Sequence, residues 1–304
     1  MSVNTYKRFF RINPVLLKEL KVKMRSWKAA ILIGVYNLVL LLLTIFIMKL
    51  TLDNDIGVPT QETILTTYAF LVAAQFGLIT LIAPALTAGA ISGEREKQTL
   101  DILLSTTLNH GSIITGKLFS SLSQIILLLI SSVPVFSIIF LYGGVGLTQL
   151  LQVYLFFIVI AITLGSIGIF FSTFIKKSTA ANVLTYAVVV FFYLGTILIS
   201  VFYIRLVIMP NNALGYSKTF WLFNLNPAIA LISLVVDQFR EGAGSIILGL
   251  NLNAQQGELH LWQINVIFNI CLSAFLLFIS SVKLNPVKRK LFRRSNLILK
   301  RKGS

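Results

Sequence analysis

Long apolar stretches separated by short charged connectors set the pattern of this chain. Residues 29–48, 63–93, 118–175, 178–204 and 259–282 contain no Asp, Glu, Lys or Arg. Each is long enough for a helix to cross about 30 Å of hydrocarbon at about 1.5 Å per residue. The run 118–175 exceeds one crossing, and Gly143-Gly144-Val145-Gly146 near its middle reads as a tight turn between two helices. The pattern predicts an all-α polytopic membrane protein with six transmembrane helices, near 29–48, 64–91, 118–142, 149–174, 181–208 and 261–282. One more apolar run, 219–236, is interrupted by Asn224, Asn226 and Pro227. It reads as a re-entrant or interfacial helix within an outer loop, 209–260.

Composition strengthens this picture. Of the 304 residues, 56% are hydrophobic and only 12% charged, with a mean hydropathy of +0.87. That charged share is about half of what an ordinary soluble domain carries. The formal net charge is +16, and its distribution is uneven. Eight Lys/Arg lie in residues 1–28, three in 92–117, two at Lys176-Lys177 and nine in 283–304. Six spans place all of these on one side and leave Lys49, Arg205, Lys218 and Arg240 on the other. Positive residues favour the cytoplasmic face, so both termini are expected in the cytoplasm, in a plasma membrane. The basic residues flank spans, where each gains about 1 kcal/mol against anionic headgroups. Membrane lipid, not nucleic acid, is the partner they suit. The single cysteine, Cys271, excludes an intrachain disulfide. The basic leader is too long for a cleavable signal peptide.

The spans hold little chemistry. No span centre carries an ionisable residue, which disfavours an ion-coupled carrier. General acid–base and nucleophilic catalysis are disfavoured for the same reason. His110 and His260 fall at opposite membrane faces, and no His/Cys/Asp/Glu set has metal-ligand spacing. Asn37, Gln75, Gln124 and Asn182 suit hydrogen bonds between helices or a cavity lining. Gly111-Ser-Ile-Ile-Thr-Gly116-Lys117 fits the first seven positions of a phosphate-binding loop, but Leu118 stands where Ser or Thr is needed for magnesium. No nucleotide site is expected here. Pro84 and Pro134 are candidate kinks in the second and third spans.

The connectors are more informative. Over 13–28, Asn13 can cap a helix and Pro14 suits its first position. Leu16, Leu20, Met24 and Trp27 then recur at helical spacing among Lys18, Lys21, Lys23, Arg25 and Lys28. An amphipathic helix along the inner membrane surface is predicted. After the second span stands Ile91-Ser-Gly-Glu-Arg-Glu-Lys-Gln-Thr-Leu-Asp-Ile-Leu-Leu-Ser105. Gly93 can end the span. Glu94 and Glu96 suit the positive end of a new helix, and Leu100, Leu103 and Leu104 form one apolar face. Glu96, Lys97, Gln98 and Asp101 stay available to a partner in whose groove such a helix could dock.

Three blocks carry a resemblance to the type-2 ABC-transporter permeases: Asn13-Pro-Val-Leu-Leu-Lys-Glu-Leu20, then Gly93-Glu-Arg-Glu-Lys-Gln-Thr-Leu-Asp-Ile-Leu-Leu-Ser-Thr106 with Gly116-Lys117, and Lys176-Lys-Ser-Thr-Ala-Ala-Asn182. Thr107 and Gln98 depart from the Pro and Gly that the family often has there. The resemblance implies an exporter subunit that is not catalytic by itself and binds no cofactor. ATP and magnesium would sit on a separate P-loop ATPase, two subunits per complex, beside a second permease copy or a paralogue. It implies a coupling helix that meets the ATPase through Glu94, Arg95, Glu96, Thr99, Leu100, Leu103 and Leu104. It also implies a connecting helix that does so through Leu16, Lys18, Glu19, Leu20 and Lys23. The chain then divides into a cytoplasmic N-terminus (1–28), a transmembrane domain (29–282, with the coupling loop at 92–117) and a basic cytoplasmic tail (283–304). An ATP-independent channel or carrier, or a scaffold or sensor subunit that moves nothing, are the competing readings.

Overall fold

The structure is a computed structural model that describes residues 27–52, 61–100, 110–141, 145–203, 206, 224–239, 246–247, 250–251 and 260–284. Among them, six helices are long and apolar enough to cross a membrane. These are α1 (Trp27–Leu52), α2 (Gln61–Thr87), α4 (His110–Leu141), α5 (Leu147–Phe174), α6 (Ser178–Tyr203) and α8 (Leu261–Leu284). Two short helices, α3 (Ser92–Glu96) and α7 (Pro227–Gln238), lie between them. Ile246–Ile247 (β1) and Leu250–Asn251 (β2) pair antiparallel, a minor exception to the helical fold.

Most boundaries shift by a few residues from the sequence reading, and two of the shifts have a visible cause. α4 starts at His110, about two turns before Leu118, because Lys117 is neutralised within the bundle and does not end the helix. α2 stops at Thr87, not at Ile91. Pro84 lies in its last turn, and the Thr87 hydroxyl donates to the carbonyls of Ala83 and Pro84, at 2.8 and 3.4 Å, occupying acceptors of that turn.

The helices alternate in direction. Lys117 meets Glu94, Ser121 donates to the Leu86 carbonyl at 3.1 Å, and Lys283 lies 5.1 Å over the Phe174 ring. These contacts gather the end of α2, the start of α4, the α5–α6 junction and the end of α8 at one end of the bundle, here the basal end. The turn at Val145-Gly146, α7 and the start of α8 occupy the distal end.

α5 is the central post. In its most apolar window 67% of the residues are buried, against 17% for α6 and 22% each for α1 and α8. Its small residues explain how neighbours come so close. A Cβ built on Gly168 would fall 2.1 Å from the Thr87 Oγ1, so α2 and α5 touch backbone to side chain there. α1 buries one stripe only, Tyr36, Leu40, Thr44 and Ile47, at helical spacing. α8 inverts the usual amphipathic rule: its buried stripe is Leu261, Asn265, Asn269, Ser273, Ser280 and Leu284. The polar members find acceptors inside, where lipid offers none: Asn269 Nδ2 donates to Asn265 Oδ1 at 2.7 Å, Asn265 Nδ2 to the Asn224 carbonyl at 2.8 Å, and the Ser273 and Ser280 hydroxyls to carbonyls of their own helix.

Polar groups also join the helices at mid-depth. Gln75 donates to Ser132 (3.1 Å), Ser132 pairs with Tyr154 (2.9 Å), and Asn37 donates to Ser131 (2.9 Å). Edge-on contacts of Tyr68, Phe136, Tyr154 and Phe157 continue the core distally.

The helix predicted at 219–236 forms as α7, shorter than expected. Asn226 caps it by accepting from the Ala228 and Ile229 amides, and Pro227 takes its first position. Six of its residues, Pro227 and Leu234 among them, are buried against the bundle, so it is not a helix lying on the lipid surface. The Asn226 amide also donates to the Tyr193 carbonyl at 2.8 Å. Tyr193 lies in a π-helical turn of α6, Phe191–Gly195, where the backbone register slips.

Candidate functional site: a charged bracket at the basal end

Beyond Thr87 the chain turns through Ala88–Ile91 into α3 and emerges at Leu100. The first amides of a helix have no partner of their own. Here Ser172 of α5 supplies one, accepting from Ile91 N at 2.8 Å and Ser92 N at 2.9 Å. Gly93 therefore does not end the second span; it lies inside α3.

The predicted coupling helix is interrupted. α3 ends at Glu96, the Gln98 amide donates to the Arg95 carbonyl (3.1 Å), and the Thr99 amide donates to the Glu94 carbonyl (3.0 Å). This crossed pair is a helix-terminating motif that needs a left-handed residue, usually glycine. Gln98 fills that place with φ 59°. Leu100 is buried in the core, leaving Glu96, Lys97, Gln98 and Thr99 as an exposed knob. Leu103 and Leu104 lie outside the described residues, as do Asp101, the whole connecting-helix set Leu16, Lys18, Glu19, Leu20 and Lys23, and the tail from 285.

Three consecutive charged residues of α3 each reach a different span. Glu94 pairs with Lys117 of α4 at 3.0 Å, the lysine 7% and the glutamate 32% exposed, and the Thr99 hydroxyl donates to the same carboxylate. Partial burial pushes the Glu94 carboxyl up, but the hydrogen bonds from Thr99 and Lys117 and the Lys117 charge outweigh it and hold the group below the ordinary carboxylate value. Arg95 donates through Nη1 to the Ile175 carbonyl and through Nη2 to the Thr173 carbonyl, both at 3.2 Å. Those carbonyls belong to the unsatisfied C-terminal end of α5, where a cation is favoured. Glu96 accepts from the Ser178 amide at 2.9 Å and its hydroxyl at 2.6 Å. It thus caps the N-terminus of α6 from another segment, and those bonds hold its carboxyl below the ordinary value.

Sequence reading had offered Glu94, Arg95 and Glu96 to a partner; all three are engaged within the chain. It missed Lys117, Ser172 and Ser178. Lys117 carried a signal, as the lone cation opening a span, but the residues that answer α3 lie about 80 positions away. The segment Gly111–Lys117 is helical within α4. A phosphate-binding loop wraps its amides around the anion before its helix begins, and a segment already wound into the helix does not form that cradle. Among the described residues no three of His, Cys, Asp and Glu come together to hold a metal.

A family profile described as ABC-2 family transporter protein matches residues 14–283, nearly the whole chain and every element of the bracket. The chain belongs to the ABC-2 transporter family. Membership makes it a membrane-spanning permease subunit of an ABC transporter, one that partners with an ABC ATPase. A comparison with curated proteins gives no match. In this ABC-2 permease the bracket holds the segment that the resemblance had singled out, and exposed Lys97, Lys176, Lys177 and Lys283 add positive charge around it.

Proposed function

We propose that this permease is half of the membrane domain of an ATP-driven exporter, and that the exposed Glu96–Thr99 knob is where the separate ATPase docks. The observation that carries this reading is the knob's mounting. A solvated loop needs no anchoring, whereas this one is tied to α4, α5 and α6 by charge-assisted bonds, which are the stronger kind. The basal end is the cytoplasmic face of a plasma membrane, because Arg95, Lys97, Lys117, Lys176, Lys177 and Lys283 gather there. Two ATPases, each binding ATP and magnesium, serve two permease copies or a paralogous pair. Exposed apolar residues such as Phe46 on α1 and Phe191, Leu198 and Phe202 on α6 offer surface for lipid and for that second copy.

The test has two arms. The complex is purified from its native membrane in mild detergent, and every stoichiometric partner is identified; a P-loop ATPase is expected. Lys97→Cys in a Cys271→Ser background is then probed with a membrane-impermeant thiol reagent in vesicles of known orientation. Modification from the outside of intact cells, or a transport-competent preparation without an ATPase, defeats the reading.

A further inference from the structure

α5 and α6 are consecutive in the chain, yet one is the most buried span and the other the least. The basal connection between them is only Ile175-Lys176-Lys177, extended at both Ile175 and Lys177. α3 grips that connection from both sides. Arg95 holds the carbonyls of Thr173 and Ile175 on the α5 side, and Ser172 holds the Ile91 and Ser92 amides. Glu96 holds both donors of Ser178, the first residue of α6. Elsewhere α6 is attached sparingly: Tyr186 donates to the Leu81 carbonyl, Tyr193 stacks on Phe76, Phe192 stacks on Phe268, and Asn226 donates to the π-helical turn.

We propose that Arg95 and Glu96 are positioning residues with opposite tasks. Arg95, with Ser172, fixes α3 to the static post α5; Glu96 ties it to α6, the arm most sparingly held within its own chain. A push on the exposed knob then turns α3 about its Arg95 anchor and swings the base of α6, while α5 stays still. The π-helical turn at Phe191–Gly195 is where the arm can yield, since a slipped register already interrupts its ladder. The inference rests on the ATPase-docking reading above, and adds to it which span moves first and through which bond.

Ser178→Pro cuts the link selectively. Proline removes both the amide and the hydroxyl that bind Glu96. It also suits the first position of a helix, and Lys177 before it has the extended conformation, φ −96° and ψ 129°, that a following proline requires. In the purified permease–ATPase complex, with Cys271→Ser, spin labels at Phe119→Cys on α4 and Val183→Cys on α6 report the position of the arm. Both sites are exposed. Adding ATP with vanadate to the parent shifts the inter-label distance. In Ser178→Pro that shift falls to less than half. Ser178→Ala, which keeps the amide donor, falls between the two, and Glu96→Ala, which removes the acceptor, tracks the loss if the proline variant does not assemble. A full-sized shift in Ser178→Pro or Glu96→Ala overturns the link while leaving ATPase docking intact. Absence of any ATPase from the parent complex overturns both.

Discussion

Gly168→Ala is the sharpest probe of the contact that places the bracket. The added Cβ would fall 2.1 Å from Thr87 Oγ1, 2.9 Å from Thr87 Cβ and 3.0 Å from the Ala88 backbone amide. The hydroxyl can rotate away, but the other two atoms belong to the last turn of α2 and to the start of the turn into α3. Relief therefore requires α2 and α5 to separate at the point where the chain enters the bracket. Overpacking of a tight contact costs about 1–3 kcal/mol, and with backbone among the clashing atoms the upper half of that range applies. For a chain of this size such a loss lowers the melting temperature by about 3–5 °C. Gly165→Ala is the internal control. Its nearest contact, at 2.9 Å, is Leu118 Cδ1, the end of a flexible side chain, and the next is Thr87 Cγ2 at 3.4 Å, so it costs about 1 kcal/mol or less. Thr87→Ala combined with Gly168→Ala removes the closest atom but leaves Cβ and the Ala88 amide, and recovers about half the loss. The assay is the monodisperse fraction of detergent-solubilised protein after a temperature ramp, followed by size-exclusion chromatography. If Gly168→Ala melts with the parent, or no lower than Gly165→Ala, the α2–α5 contact is not as tight as argued.

Other substitutions test the bracket and the distal cap separately. Gln98→Gly relieves a left-handed residue that costs about 1 kcal/mol or more, partly offset by the freer unfolded chain; it melts at or slightly above the parent, whereas Gln98→Val melts below it by an amount equivalent to at least about 1 kcal/mol. Arg95→Ala strips two charge-assisted bonds from the end of α5 and lowers stability by about 1.5–3 kcal/mol, with Arg95→Lys recovering only part; equal melting of all three would remove Arg95 from its anchoring role. Asn226→Ala loses a helix cap worth about 1 kcal/mol and also the donor to Tyr193, so it must cost more than Ser233→Ala at a buried site in the same helix. The Glu96 carboxyl is depressed by its bonds to Ser178. Its stabilisation is therefore fully present above the ordinary carboxylate value and is lost as pH falls through the lowered one. Acid melts of the parent should show a loss in that window that Glu96→Gln lacks.

How much of this was legible depends on the reach of each signal. Span number followed from charge-free length, because a helix in hydrocarbon must satisfy its backbone internally and announces itself by apolar residues alone. The start of α7 lay in Asn226-Pro227, since a cap acts on amides two and three residues away, but within the run 219–236 those residues read only as an interruption. The start of α4 was not: a charge at the head of an apolar run looks like a boundary until its counter-ion, Glu94, is known. The burial of α7 was equally invisible, because an apolar helix reads the same against lipid as against protein. Gln98 lies between. The departure from glycine was visible, but only the φ of 59° shows what glycine would do there.

The charged block at 94–96 shows why local pattern misleads at a membrane boundary. Helix ends leave amides and carbonyls without partners, and where several spans end together these groups crowd into one layer. A short helix placed across that layer meets α4, α5 and α6 at once, so successive residues on different faces can each answer a different end. Glu94 neutralises a nearly buried lysine, Arg95 meets a row of carbonyls, and Glu96 meets an amide and a hydroxyl. The alternation of sign follows from the chemistry of what each residue faces, not from a periodicity along α3. Substitution of Glu94 is therefore a poor test of docking, since it strips the counter-ion from Lys117 and disturbs the bracket itself. The exposed turn at Lys97 and Gln98 is where a partner's contribution can be separated from the permease's own.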